Sequence, residues 1–245
     1  MSIKKFNIGM LLLATSFICI VLVSSASAQE NSNVNNKPTI LEQGLMDALN
    51  SKTDKMSTND VIASYFKENK DKISMPDTHV KLSKRYQLKD GSYITFTNIG
   101  FSIDTLEEEK LDKTKIQSIS SNSLVTTQST YTTPSLKYTH GCYSISGNEI
   151  ISLTVKGYFT YDYNSVVGHC TDAYYTKYML FNIWSLSSWA SGAQKVSGSQ
   201  SEVYAHGRFT MGFWVLNNYI EMANYYMESS IQCDKSGHYW GQSVG

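Results

Sequence analysis

The sequence predicts a mainly β protein: a small α+β unit on the N-terminal side, then a C-terminal antiparallel β-sandwich or open barrel. Three observations predict it. Two long stretches, 149–163 and 202–215, alternate apolar and polar residues with a period of two. Aromatic residues gather around them: all four Trp lie after residue 180, and 13 of the 17 Tyr lie after residue 136. Charged residues crowd the first half instead, so two parts with different surfaces are expected.

Residues 1–28 read as a signal peptide. Lys4 and Lys5 precede an apolar run from Ile8 to Val23, and Ala26-Ser27-Ala28 offers small residues for cleavage before Gln29. The run is too short for a spanning anchor. Phe17 and Ile18 stand where a lipidated Cys19 would need small neighbours. An exported protein with no membrane anchor after cleavage is therefore expected. Without Lys4 and Lys5 the 21 basic residues fall to 19 against 21 acidic ones, a net charge near −2. That balance argues against nucleic-acid partners and against an electrostatic grip on anionic lipid.

Residues 29–38 are polar and Asn-rich, the composition of a disordered arm. Ile40, Leu41, Leu45, Met46 and Leu49 then recur at helical spacing. A second helix starts at Ser57 or Thr58 as cap, carries Asp60 in its first turn and buries Val61, Ile62, Tyr65 and Phe66. Strands follow at 79–88 and 92–104, joined through Lys89-Asp90-Gly91, a hairpin signal. Apolar parity switches across Asn98 to Gly100, which reads as a bulge or twist within the second strand. Residues 39–104 thus form the small α+β unit, two helices over a β-hairpin.

Residues 105–135 read as a charged, then Ser/Thr-rich linker, because 11 of the 19 residues from Gln117 to Ser135 are Ser or Thr. The β domain spans 136–245. Its first strand, 138–145, turns at Ser146-Gly147-Asn148 into the alternating stretch 149–163. Segments 171–190 and 219–232 fit neither strand nor helix period well. Asp234-Lys235-Ser236-Gly237 is a turn signal. Both alternating stretches carry a Gly two residues before a Phe, at Gly157 and Gly207, which suits a ring packed over bare backbone.

The Tyr-Phe-Thr-Tyr strand, the Ile-Trp-Ser and Ser-Trp pairs, the Gly-Arg-Phe-Thr strand and the closing Cys-Asp-Lys-x-Gly resemble the C-terminal half of small exported proteins of Gram-positive bacteria with no assigned activity. The likeness covers roughly residues 138–240. It implies a β-rich extracellular domain and brings no catalytic residue.

Chemistry is sparse by motif. His79, His140, His169, His206 and His238 include no i, i+4 pair, and no Cys-x-x-Cys occurs, so no metal or cofactor is expected. Glu107-Glu108-Glu109 reads as a solvated charge run, and Asp162, Asn164 and Asp172 lack EF-hand spacing. No Gly-x-Ser-x-Gly elbow is present. Cys142, Cys170 and Cys233 remain after export, consistent with one disulfide and one odd thiol, in any of three pairings. His169-Cys170 is a tempting dyad, but neighbours in an extended chain point to opposite sides. His206 or His140 are the other possible bases for Cys170. No catalytic residue is assigned.

One surface stands out. Tyr158, Tyr204, His206, Arg208 and Trp214 fall on the polar parity of the two alternating strands and mix aromatic rings with hydrogen-bonding tips. Such surfaces bind glycans or peptides. The expected function is thus secreted, non-enzymatic recognition of a glycan or protein at the cell envelope or in the medium. Two alternatives accompany it: a toxin or antimicrobial β domain with a removable N-terminal pro-segment, and a Cys/His hydrolase assembled only by the fold.

Overall fold

The computed structural model describes residues 37–53, 55–73, 83–109, 129–177, 184–215 and 218–245, without the side chains of 213–215, 218–220 and 222. The expected signal peptide, most of the arm, residues 79–82 and residues 110–128 of the expected linker lie outside the described residues. No helix among those described is long and apolar enough to cross a membrane.

Helix α1 (Ile40–Asn50) opens with a capping box, in which the Thr39 hydroxyl accepts from the Glu42 amide while Glu42 reaches back to the Thr39 amide. Helix α2 (Thr58–Glu68) is capped by Ser57, whose hydroxyl accepts from the Asp60 amide. A short 3-10 turn follows at Lys70–Lys72. The strands are β1 (Ser83–Gln87), β2 (Tyr93–Thr97), β3 (Gly100–Glu109), β4 (Tyr131–Thr132), β5 (Ser135–Ser144), β6 (Glu149–Tyr161), β7 (Val166–Lys177), β8 (Trp184–Ser197), β9 (Gln200–Val215), β10 (Asn218–Asp234) and β11 (Tyr239–Val244).

All pairings among the described strands are antiparallel and build two sheets. In the first, β1, β2, β3, β5, β6 and β7 lie side by side, with β4 beside the far end of β6. The second runs β8, β9, β10, β11 in a meander. The mainly β class with a sandwich is therefore confirmed.

The sandwich core is predominantly apolar. Leu136, Leu153, Val155 and Phe159 of the first sheet pack against Val203, Phe209, Met227 and Ile231 of the second. A second core lies on the other side of the first sheet, where Leu45, Leu49, Ile62 and Phe66 of the helices cover Ile94, Phe96, Phe101, Ile103 and Tyr143. Three layers result: helices, long sheet, short sheet.

Several expectations need correction. The parity switch at Asn98 to Gly100 is a two-residue hairpin rather than a bulge, since Thr97 pairs with Gly100 and the chain reverses. Gly100 is needed there because a Cβ would collide with the Tyr143 carbonyl. The expected linker shrinks at both ends, since β3 runs on to Glu109 and β5 starts at Ser135. Those strands pair over ten positions, from Gly100 with Ser144 to Glu109 with Ser135. The α+β unit and the β domain thus share one sheet. Segments 171–177, 184–190 and 219–232, ambiguous by period, are strand.

Candidate functional site

Tyr158, Tyr204, His206 and Arg208 do not converge. Odd-numbered residues of β6 and β9 meet in the shared core, as when a Cβ on Gly157 would touch Val203. Even-numbered residues of the two strands therefore point away from each other, onto opposite outer faces. Tyr158 stacks on His169 at 4.6 Å between ring centroids, on the outside of the long sheet. Tyr204, His206 and Arg208 stand on the outside of the short sheet. Trp214 belongs to β9 and pairs with Tyr219 in the ladder, but its side chain lies outside the described residues.

The short sheet's outer face has an organised centre. Tyr204 stacks on His206 at 5.5 Å, and His206 meets Tyr226 of β10 at 5.9 Å. The Tyr226 hydroxyl donates to Glu228 at 2.7 Å, and burial followed by that carboxylate pushes it up to about 12. Below the rings, Glu202 accepts from the Gln194 and Gln232 amides. Sequence reading missed Tyr226, because β10 has no clean period.

Cys142, Cys170 and Cys233 are each free in the structure, with none at disulfide distance from another. Each belongs to a different strand and serves a different neighbourhood. Cys170 stands opposite Gly157 in the β6–β7 ladder, its thiol pushed up by burial. His206 is on the far side of the other sheet, so that dyad is ruled out. Cys233 is fully buried at the end of β10, and burial beside Asp234 pushes its thiol up to about 12.

Cys142 differs from both, because a histidine nitrogen stands against its sulfur. Residues two apart in a strand share a face, so Tyr138, His140 and Cys142 of β5 all turn toward the short sheet. In the β3–β5 register His140 lies directly opposite Asp104. The His140 Nδ1 is 2.6 Å from Asp104 Oδ1, and the Cys142 Sγ is 3.5 Å from His140 Nε2. Only 2% of His140 and 4% of Asp104 reaches solvent, so this contact is screened little by water.

A second ring of partners holds the carboxylate. Ser243 of β11 donates its hydroxyl to Asp104 at 2.9 Å, and the Arg85 guanidinium stands 3.5 Å from the other oxygen. Burial works to raise the Asp104 carboxyl, but His140, Ser243 and Arg85 together hold it below its ordinary value. An ionised carboxylate only accepts, so the proton of that short contact belongs to Nδ1. Burial likewise works to lower the His140 imidazole. The adjacent Cys142 sulfur and the bond to Asp104 outweigh it and push the imidazole up to about 10.

The Tyr225 hydroxyl of β10 lies 3.5 Å from the same sulfur. Burial, then Cys142, push that hydroxyl upward, which keeps it a donor at neutral pH. A cavity of about 70 Å³ opens beside the sulfur, walled by Ser102, Cys142, Ile150, Ile151, Trp184 and Tyr225 among others. Among the described residues no three His, Cys, Asp or Glu side chains are placed to hold a metal ion.

The sequence did hold one signal for this site. His140-x-Cys142 inside an alternating strand puts base and thiol on one face, a spacing the attention to Cys170 passed over. Asp104 had no local signal, since only the β3–β5 register brings it there. Compared with protein-family models, curated proteins and solved structures, the chain matches none.

Proposed function

We propose that this is a secreted enzyme that transfers or hydrolyses acyl groups through the Cys142 thiol. One observation carries the reading: the His140 ring bridges a sulfur at 3.5 Å and a buried carboxylate at 2.6 Å, the geometry of an activated cysteine nucleophile with an oriented base. In the reaction the Cys142 sulfur, with the proton held on His140 Nε2, attacks a carbonyl carbon. Asp104 fixes the ring tautomer and balances the imidazolium. Charge gathering on the carbonyl oxygen meets the Tyr225 O–H as donor. Collapse expels the leaving group, which takes the proton from His140 and leaves a thioester on Cys142. Attack on that thioester by water or an acceptor, with His140 as base, releases the acyl product and restores the thiol.

Thiol reactivity tests this directly. Iodoacetamide should modify Cys142 of the native protein well before Cys170 or Cys233, and His140→Ala should slow it at least tenfold. Equal labelling of all three thiols, or no change in the variant, sinks the proposal.

A second reading rests on a separate observation, the Tyr204–His206–Tyr226 ladder. Flat rings beside amide and carboxylate tips suit a glycan or a partner protein at the cell envelope, and such a face would deliver the enzyme to its substrate.

A further inference from the structure

Two atoms that the reaction needs are covered. Cys142 Sγ lies 3.5 Å from both His140 Nε2 and the Tyr225 hydroxyl. A Cβ on Gly245 would stand 3.1 Å from that hydroxyl and 3.2 Å from Nε2, so the Gly245 backbone stands against the same two atoms. The sulfur is placed differently. It is half-buried and borders a cavity, walled also by Ile150 and Trp184, that opens to solvent. The nucleophile is thus within reach, while its acid–base nitrogen and its oxyanion donor lie beneath the tip of β11.

The covering strand is shaped for this. Gly241, Ser243 and Gly245 share one face of β11, as alternate residues of a strand do. Gly241 lies against the Tyr138 ring, Ser243 holds Asp104, and Gly245 lies over His140. A Cβ on Gly241 would collide with the Tyr138 ring, and one on Gly245 would crowd Nε2, so bare backbone lets the strand lie this close. The tip is weakly held. Among the described residues β11 has β10 as its one ladder partner, and that ladder ends at Val244 opposite Glu228. Gly245 lies one residue past it and is exposed. Exposed residues beyond the last ladder pair open at little cost in free energy.

We infer that the tip of β11 is a built-in latch: Gly245 withholds His140 Nε2 and the Tyr225 hydroxyl in the resting protein, and acyl transfer at Cys142 proceeds only when the tip lifts. This rests on the acyl-transfer reading of the same residues. A carbonyl oxygen must come within about 3 Å of the Tyr225 hydroxyl to accept from it. The water that attacks the thioester must reach Nε2 to give up its proton. Gly245 stands in both approaches until it moves. Ser243, two residues back, keeps Asp104 and with it the His140 ring in place.

The full mature chain is compared with a chain lacking Gly245 alone and with Gly245→Ala, whose methyl group must push the tip off both atoms. Each is assayed for p-nitrophenyl acetate turnover, iodoacetamide labelling and urea unfolding. With the lifted state held by about a tenth of the molecules or fewer, kcat/KM should rise by about tenfold or more without Gly245, and in the same direction in Gly245→Ala. Cys142 labelling should stay within about twofold of the full chain, as small reagents reach the sulfur through the cavity, and the urea midpoint should not change. The gain should vanish when Cys142→Ala is added. Cys142-dependent turnover that is the same or lower in both variants overturns the latch while leaving the thiol chemistry standing. Labelling that rises in step with turnover overturns it too, because the tip would then shield the sulfur and not its partners. Absence of Cys142-dependent turnover in every chain, with labelling no faster than at Cys170, overturns both.

Discussion

His140 and Asp104 face each other directly across the β3–β5 ladder, ring Nδ1 2.6 Å from carboxylate Oδ1, in a part of the sandwich closed to water. The contact joins the strand that ends the helical half to the strand that begins the β half. Its charge balance therefore belongs to both fold and chemistry.

Replacing Asp104 by Asn keeps the shape and removes the charge. His140 then loses its counter-ion while still buried, and breaking one partner of such a pair costs about 3–5 kcal/mol. Urea unfolding of Asp104→Asn should show that loss. Iodoacetamide labelling of Cys142 should slow as well, because the ring no longer holds its tautomer. A variant as stable and as reactive as wild type would show the pair to be incidental.

The same pair sets a pH window. His140 is raised from its ordinary 6.5 to about 10 in the fold, so its stabilisation is complete below 6.5 and disappears as pH climbs through 10. Asp104 is lowered, so its contribution is present above the ordinary carboxylate range and is lost as acid drives it through its depressed value. The pair therefore stabilises most between roughly pH 4 and 6.5. Comparing wild type with His140→Gln cancels the other titrating groups. Their stability difference should narrow by roughly 2 kcal/mol or more between pH 7 and pH 10, of the order such a shift implies. A difference constant across that range would mean the imidazole is neutral throughout.

Gly157 lets the two sheets approach. A methyl group there would come within 2.8 Å of Val203 in the facing sheet and 2.5 Å of the His169 carbonyl. Neither can retreat without disturbing a ladder or the core, so Gly157→Ala should destabilise the protein by about 1–3 kcal/mol in thermal or urea unfolding. Gly198 has open space around its Cα, and Ala there should be close to neutral. At Gly207 a Cβ would stand 3.1 Å from the Phe209 ring and 3.2 Å from the Trp189 ring of the neighbouring strand, the aromatic cover expected from the sequence.

Tyr204 and Tyr226 lie on the outside of the short sheet, away from the sulfur. Replacing both by Ala should leave urea stability within about 1 kcal/mol, since neither anchors the core. If the outer ladder docks the protein, the double variant should lose retention on insoluble cell-wall material while Cys142 labelling stays at the wild-type rate. Undiminished retention would remove the docking role from this face.

Much of the architecture was readable because it is local. The caps at Thr39 and Ser57, the turns at Gly91, Gly147 and Gly237 and the alternation along β6 and β9 each follow from residues within a few positions. The hairpin at Asn98-Ile99 was misread because a parity switch marks equally a bulge or a reversal, and only pairing decides which. The surface grouping failed for a related reason. Parity says which residues of one strand share a face, but not whether two strands present that face to the same side.

By itself, the sequence determined the class, the periodic strands, the caps and turns, and the placing of His140 and Cys142 on one strand face. Only the tertiary structure decided that β3 joins β5, bringing Asp104 against His140, that Cys142 rather than Cys170 meets a base, and that Tyr158 is parted from Tyr204. The physical reason is range. Backbone geometry repeats every two or 3.6 residues and is written in neighbouring side chains, whereas strand register between residues 36 apart is settled by the burial of two cores at once.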